Sequence, residues 1–423
     1  MSNDKQQNEK ASDDKATAAP TPIPAWVEPS LFEPVIRQKF PELKQIKDFK
    51  AIPALAAGEN FATLMLRLTA EIELKDGSSK NVSLMLKTAF DIDIFKQMVQ
   101  FHDIFTVESD VYKEVIPELE DMYRAAGVEV KFGPNSYELT TDQPYILLED
   151  LSTRGFKNMN RLEGLDQEHV LAALTKLAQW HAASAVRVAN KGLYKTTIGR
   201  EKIKEGAEVM LKGMFDNMFT PFLKCATSYE GVEDFYEAMK AKSENMVEHF
   251  IKQTESEKQG FCVLNHGDMW SNNVMFQHDA FGNIKETYFV DFQLPRYGSP
   301  VQDLYYFLLS SSKYEIKLAS FDYFIKYYHD CLVQNLTLLN YSKKVPTLRD
   351  LHIMMYQGGI WGFVTVTGVM CAVLLDPNED ARGENLFANT EVAKSLQAQM
   401  YGNARYRKHA EALLPWLYDR GAF

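Results

Sequence analysis

Apolar and polar residues alternate along residues 52–89, which is the spacing of half-buried β-strands. Two such runs are joined by a polar, glycine-containing turn at 75–78, so the segment predicts a β-hairpin. Residues 145–151 form another apolar strand that runs into a polar turn at 152–155. The segment 25–49 contains scattered apolar residues and predicts one short helix.

Much of the remaining chain has the 3.6-residue period of amphipathic helices. Apolar residues at 101, 104, 105, 111, 112 and 115 form one stripe, and Asp166 is an N-cap for a helix that continues to residue 183. Further helices are predicted at 201–257, after Pro300, and at 321–341, 353–375 and 390–417. The segment 353–375 has no charge, but its four glycines and its lack of a basic flank favour a buried core helix over a membrane span.

The segment 261–293 combines three short apolar strands with polar residues at their ends. Asp268 and Asn273 lie in the loop after the first strand, and Asp291 ends the third strand, 18 residues after Asn273. Phosphoryl transfer with Mg²⁺ requires an aspartate that receives the proton of the attacking hydroxyl, and an amide and a second carboxylate that hold the metal. We interpret the rest of the chain as bringing a nucleotide and an acceptor to this place.

Two charged residues upstream fit the same chemistry. Lys87 closes an apolar strand at 82–86, and Glu108 falls on the apolar stripe of the helix at 101–115. A carboxylate that faces a core is costly unless it is paired, so we expect Glu108 to pair with Lys87 and to hold the ammonium against nucleotide phosphates. The single glycine at 58–60 is a weak phosphate-loop signal, and an ordinary strand-entry turn is the alternative.

Charge and composition narrow the possible partners. The net charge of −11 argues against nucleic acid and against an anionic membrane. Four well-separated cysteines, with no targeting signal recognised at the N-terminus, predict reduced thiols in a cytoplasmic protein. The polar residues 1–24 predict a disordered tail, and a length of 423 residues predicts two lobes.

The motifs HGDMWSNN at 266–273 and DFQ at 291–293 resemble the signature of the ecdysteroid kinase-like, or CHK kinase-like, family. Distant relatives of that family are the choline kinases and the aminoglycoside phosphotransferases. Supporting matches spread over about residues 55–310. The resemblance implies an α+β, bilobal protein-kinase-like fold, with a small β-rich N-lobe at 25–150 and a large, mostly helical C-lobe at 151–423.

The implied reaction is the transfer of the γ-phosphate of ATP, with Mg²⁺, to the hydroxyl of a small molecule. On this resemblance Asp268 is the catalytic base, and Asn273 and Asp291 are the magnesium ligands. Lys87, held by Glu108, would contact the ATP phosphates.

Five further residues receive roles from the same resemblance. Asn60 would cover the phosphates, and the backbone of Glu149 and Leu151 would contact adenine. His266 and Asp303 would support the catalytic loop. The motif departs from protein kinases, which have HRD in place of HGD and DFG in place of DFQ, and the phosphate-covering loop has one glycine only.

The connection after the DFQ motif bears on the acceptor. Only nine residues, 294–302, separate Gln293 from the helix at Asp303, which leaves no room for the peptide-docking segment of a protein kinase. We therefore expect a small-molecule acceptor. A pocket for a lipophilic alcohol is predicted from the apolar residues of the C-terminal helices, namely Met354, Tyr356, Trp361, Phe363 and Met370.

The family's name favours an ecdysteroid-like steroid as that alcohol. A choline- or ethanolamine-kinase-like activity is an alternative, and a pseudokinase that binds a ligand without chemistry is another. Because a binding protein does not need a base, metal ligands and a phosphate-binding lysine together, their joint presence favours an enzyme. We expect a monomer or a weak dimer, with no nucleic acid or membrane partner.

Overall fold

The N-terminal part of the chain is built around an antiparallel sheet. The computed structural model describes residues 23–54, 63–89, 104–199, 206–378 and 390–423. The five strands lie in the order β1-β2-β3-β5-β4, and all neighbours are antiparallel. The elements are α1 (Pro29–Lys39), β1 (Leu43–Pro53), β2 (Leu64–Leu74), β3 (Ser79–Thr88), β4 (Ser136–Tyr137) and β5 (Tyr145–Glu149).

The edge strand β1 corrects the interpretation of residues 25–49, for which one helix and no strand was predicted. The helix is present as α1, but the chain then enters β1. Only Leu43 of this strand is buried, and its register against β2 shifts twice, between Leu43 and Gln45 and between Ile46 and Asp48. Such bulges break the two-residue period, and for this reason the sequence pattern gave no strand signal.

A broken helix connects β3 to β4. It consists of α2 (Ile104–Asp110), a π-helical turn (Val111–Val115) and α3 (Ile116–Ala125). The π-helical turn ends two residues before Pro117, which has no N–H to continue the α-helical ladder. The apolar face of this helix packs into the core of the C-terminal part.

The C-terminal part is mostly helical. Two small antiparallel sheets, β6-β8-β9 and β7-β10, lie within it. Its first elements are a 3₁₀ turn (Leu151–Arg154), β6 (Phe156–Lys157), α4 (Gln167–Lys191), α5 (Thr196–Gly199), α6 (Ala207–Ala226), α7 (Tyr236–Glu244), α8 (Met246–Ser256), β7 (Val263–Asn265), β8 (Val274–His278), β9 (Ile284–Phe289) and β10 (Arg296–Gly298). The later ones are α9 (Val301–Ser311), α10 (Tyr314–Lys317), α11 (Phe321–Leu338), α12 (Leu348–Gln357), α13 (Gly359–Val364), a π-helical turn (Thr365–Val369), α14 (Met370–Val373), α15 (Glu391–Gly402) and α16 (Ala404–Tyr418).

Helix α4 is the central element of this part and packs along α11. Asp166 caps it, because its side chain accepts a hydrogen bond from the backbone N–H of His169. The helix continues to Lys191, two turns beyond the predicted end, and its residues from Trp180 to Val186 are fully buried. The larger apolar core surrounds α4, whereas a smaller core fills the space between α1 and the five-stranded sheet.

The uncharged segment 353–375 is buried for most of its length, but it is not the single helix that was predicted. The helical axis bends by 59° between α12 and α13, at Gly358. A Cβ on Gly358 would lie 2.7 Å from Cγ1 of Val301, and one on Gly359 would lie 2.9 Å from Cα of Ala422. The glycine pair thus allows close packing against α9 and the C-terminus, and the same pair interrupts the helix.

Within the described residues no single helix has both the length and the apolar character of a membrane span, and α12 with Gly359–Val373 passes that test only as a bent pair.

The predicted α+β class, with a small β-rich lobe and a larger helical lobe, is confirmed. The lobe boundary near residue 150 stays a prediction. The tail predicted for 1–24 falls almost entirely outside the described residues, and so does Asn60.

Candidate active site

A cleft of about 470 Å³ lies where the five-stranded sheet meets the helical part. Most of the residues singled out in the sequence line it, although they come from distant parts of the chain. These are Lys87, Glu108, Glu149, Leu151, Asp268, Asn273 and Asp291. His266 and Asp303 are fully buried behind the loop that carries Asp268.

Lys87 lies at the centre of a buried charge cluster. It is near the end of β3, where its backbone pairs with Ile146 of β5. Its Nζ lies 2.6 Å from Oε2 of Glu108 on α2 and 2.6 Å from Oδ1 of Asp291. Oε1 of Gln293 also accepts from this ammonium at 3.4 Å. One lysine therefore joins the sheet, α2 and the DFQ segment.

The charges in this cluster shift each other's proton affinity. Burial lowers the pKa of Lys87, but the two carboxylates outweigh it and the net direction is upward. Burial is also the main reason that the pKa of Glu108 rises, to about 7, and the charge of Asp291 adds to it while Lys87 opposes it. One cation thus serves two carboxylates, and burial of Glu108 favours its protonated form.

The loop after β7 is held from behind by one buried carboxylate. Oδ2 of Asp303 accepts from the backbone N–H of His266 at 2.6 Å, and Oδ1 accepts from that of Gly267 at 2.9 Å. Nε2 of His181, on α4, lies 3.2 Å from Oδ2 of the same residue. The ring of His266 lies 3.0 Å from the carbonyl oxygen of Val290, so this histidine connects the loop to the strand before Asp291.

Steric constraints explain why the second residue of the HGD motif is glycine. Gly267 has a φ of +83°, which is costly for a residue with a Cβ. A Cβ at this position would lie only 1.8 Å from the carbonyl oxygen of Leu294, inside van der Waals contact. The segment after DFQ therefore lies directly against the catalytic loop and excludes a side chain such as the arginine of HRD.

The carboxylate of Asp268 is hydrogen-bonded at both oxygens. Nδ2 of Asn273 donates to Oδ2 at 3.0 Å, and the Tyr306 hydroxyl donates to Oδ1 at 2.5 Å. Burial, together with the charge of Asp291, raises the pKa of Asp268, while the bonds from Tyr306 and Asn273 oppose the rise. A raised pKa makes this aspartate a better proton acceptor than an exposed one.

Asn273 and Asp291 provide oxygen donors suited to a magnesium ion. Because Nδ2 of Asn273 donates to Asp268, its Oδ1 is the atom available to a cation. The Asn273 carbonyl also accepts from the N–H of Val290 at 3.1 Å, which fixes the spacing between the two segments. Asp291 adopts a φ of +68°, one of two such non-glycine residues in the described chain.

A carboxylate and an amide oxygen are hard ligands, and Mg²⁺ typically takes one or two of them together with phosphate oxygens and water. No group of three or more His, Cys, Asp or Glu side chains in the described residues forms a self-contained metal site. An amide oxygen and a carboxylate fit a metal whose other ligands are phosphate oxygens and water.

The sheet side of the cleft offers an apolar slot. Glu149 and Leu151 line it, next to Met65, Met85, Leu148 and Met275. The backbone N–H of Glu149 donates to the carbonyl of Asn135 at 2.8 Å. Since that donor is already used, an adenine edge would meet the Glu149 carbonyl and the Leu151 N–H.

The acceptor pocket predicted from the C-terminal helices is wrong in its residues. Trp361, Phe363 and Met370 are buried in the core, Tyr356 is 65% exposed, and none of these lines the cleft. The indole of Trp361 instead donates to Oε1 of Glu257 at 2.5 Å. Apolarity alone identified these residues, and it does not distinguish a pocket wall from a core.

The remaining wall of the cleft is formed by a different set of residues. Its apolar members are Met159, Leu162, Trp270 and Pro377. The polar residues beside them are held by the protein itself: Nδ2 of Asn158 donates to the carbonyl of Asn272 at 2.7 Å, and the Arg161 guanidinium donates to the carbonyls of Val373 and Leu375. This wall was not predicted, because the loops that form it, most of all the loop before α4, have no periodic signal.

The fold and this cleft together define a protein of the two-lobed, kinase-like class. The chain belongs to the ecdysteroid kinase-like family, whose model matches residues 57–341. This membership supports a phosphotransferase that acts on a small molecule. No curated protein matches the chain. Among solved structures, "Amicoumacin kinase hAmiN in complex with AMP-PNP, Ca2+ and Ami" is similar over 90% of this chain and 93% of its own, with 12% identity and a TM-score of 0.37.

Proposed function

We propose that the protein transfers the γ-phosphate of ATP, with Mg²⁺, to a hydroxyl of a lipophilic small molecule, and that an ecdysteroid-like steroid is the favoured acceptor. One observation carries the proposal. A single cleft is lined by Lys87, Asp268, Asn273 and Asp291, although more than 200 residues of sequence separate the first from the last. A structural ion pair would explain Lys87 and Glu108, but it would not require a partly exposed aspartate and an amide next to it.

Lys87 is the group that would meet the phosphates. Its ammonium is already held at 2.6 Å by Glu108 and at 2.6 Å by Asp291. When a polyphosphate enters, Lys87 can keep Glu108 and exchange Asp291 for a phosphate oxygen. Asp291 and Asn273 would then hold the metal, which neutralises charge on the phosphates when it is bound.

Asp268 would act as the base. Its raised pKa and its position in the cleft wall suit it to accept the proton of an acceptor hydroxyl as that oxygen attacks the γ-phosphorus. Each carboxylate oxygen has two lone pairs, so the bonds from Asn273 and Tyr306 leave room for this third one. Burial of the site limits competition from water.

The remaining wall of the cleft suits an apolar molecule better than a quaternary ammonium. Met159, Leu162 and Trp270 offer apolar surface. A quaternary ammonium is typically bound by several aromatic rings, and among the described residues that line the cleft Trp270 is the one aromatic. This lining therefore supports a steroid-like acceptor over choline.

The test is a phosphate-transfer screen with Mg-ATP and a panel of ecdysteroids, sterols, small alcohols, choline and ethanolamine, read by mass spectrometry. We expect a phosphate ester of a lipophilic alcohol. Asp268→Asn should lower its formation by about 10²- to 10⁴-fold, the usual scale for a general base. Asp216→Asn, at an exposed ion pair with Lys212, is the matched control. Phosphorylation of choline alone would refute the lipophilic acceptor, and an unchanged rate in Asp268→Asn would refute the base.

A further inference from the structure

Helix α9 contacts the catalytic loop at two points. Asp303, in its first turn, binds the backbone of His266 and Gly267. Tyr306, three residues later, donates its hydroxyl hydrogen to Oδ1 of Asp268 at 2.5 Å. Residues three apart lie on the same face of a helix, so one helical face holds both the backbone and the side chain of the loop.

The Tyr306 hydroxyl is a donor throughout the physiological range. Burial, reinforced by the charge of Asp268, raises the pKa of this phenol well above its ordinary value. The bond is therefore a neutral O–H to a carboxylate, which is among the stronger and shorter kinds. The other oxygen of Asp268 accepts from Asn273. With a donor on each oxygen, the carboxylate cannot rotate without breaking a bond.

We propose, on the basis of the proposed function, that Tyr306 is a positioning residue for Asp268: its hydroxyl fixes the carboxylate in the orientation in which an acceptor hydroxyl meets it. Nothing in the HGD or DFQ motifs indicates this residue. In the sequence Tyr306 is one of six consecutive apolar or aromatic residues, 304–309, and this pattern is typical of a core helix.

The experiment compares Tyr306→Phe with Tyr305→Phe. Tyr305 is the adjacent residue on α9, it is buried, and its hydroxyl donates to the carbonyl of Met355 at 3.1 Å, far from the base. Both variants lose one buried hydroxyl, so a merely structural effect is common to both. The first readout is kcat and KM for phosphate release from Mg-ATP at one fixed pH, with water as the acceptor. The second is the denaturant midpoint at the same pH.

For Tyr306→Phe we expect kcat to fall by about tenfold with the KM for Mg-ATP little changed, because the Asp268 carboxylate loses one of the two bonds that orient it and such a bond is worth about 1.5–3 kcal/mol. Tyr305→Phe should leave kcat within about twofold of wild type, because its hydroxyl bonds to Met355 and not to Asp268. Both variants should lower the denaturant midpoint, since each loses one buried hydrogen bond. In an Asp268→Asn background, the Tyr306→Phe change should have a much smaller effect on the midpoint.

An equal kcat in the two tyrosine variants would overturn the proposal. An equal effect of Tyr306→Phe with and without the Asp268 carboxylate would overturn it as well. A wild-type protein that neither binds nor hydrolyses Mg-ATP would count against the proposed kinase function instead. In that case the midpoint comparison still decides whether the phenol acts on the carboxylate.

Discussion

Replacement of Asp303 by asparagine tests how the catalytic loop is held. The carboxylate is fully buried and accepts from three donors, which are the N–H groups of His266 and Gly267 and the ring of His181. Asparagine has the same shape, but one of its two oxygens becomes an NH₂ group. At least one backbone N–H then faces another donor, and the remaining bonds lose the help of the charge.

A buried donor without an acceptor costs about 1–3 kcal/mol, and a bond to a neutral acceptor is about half as strong as one to a charged acceptor. Since every one of the three bonds is affected, we expect Asp303→Asn to lower the free energy of unfolding by about 2–4 kcal/mol. Asp268 belongs to the same loop, so activity should fall as well, even in the fraction that remains folded.

The assay is unfolding in denaturant, monitored by tryptophan fluorescence. The rate of phosphate release from Mg-ATP is measured separately, without denaturant. Asp216→Asn is the matched control, because its carboxylate forms an exposed ion pair with Lys212 and a change there should stay within about 0.5 kcal/mol. If Asp303→Asn were as stable and as active as that control, the loop would not depend on this carboxylate, and the reasoning would be refuted.

Two further predictions follow from the geometry of the site. Gly267→Ala should abolish activity and destabilise the fold, because its Cβ would lie 1.8 Å from the Leu294 carbonyl oxygen. Gly282→Ala is the control: its φ of +88° is similar and nothing lies within 4 Å of the added Cβ, so this variant should show the cost of backbone strain alone. Equal unfolding midpoints of the two variants would contradict the clash. The pKa of Glu108 is raised from 4.5 to about 7 in the folded protein. Between these two pH values the folded protein binds more protons than the unfolded chain, so the contribution of Glu108 to the free energy of unfolding is lost as pH rises through that window. Glu108→Gln should remove this slope from the unfolding free energy, and a pH titration of the midpoint that is the same in both proteins would argue against it.

The central part of the site could be predicted from sequence because its residues follow short strands at fixed spacings. The pairing of Lys87 with Glu108 could be predicted for another reason. A carboxylate on an apolar helical stripe requires a partner, and the preceding strand ends in a lysine. The structure brings these two together at 2.6 Å. Both inferences depend on local patterns that the tertiary fold preserves.

What could not be predicted depends on contacts between distant segments. Tyr306 reads as a core aromatic until its hydroxyl is seen against Asp268. The left-handed backbone of Asp291 has no sequence signal, because aspartate adopts it only where its surroundings fix it. The wall around Met159 and Trp270 comes from irregular loops, which hydrophobic periodicity does not describe.

The short passage from Gln293 to Asp303 has a consequence for control of the protein. Between residues 263 and 311, all of which the structure describes, Arg296 pairs with Glu257 and with Gln302, β10 pairs with β7, and Leu294 touches Gly267. These contacts order the passage without any added group. If the protein is the kinase proposed above, this passage should not need the phosphorylation that orders the activation loop of many protein kinases.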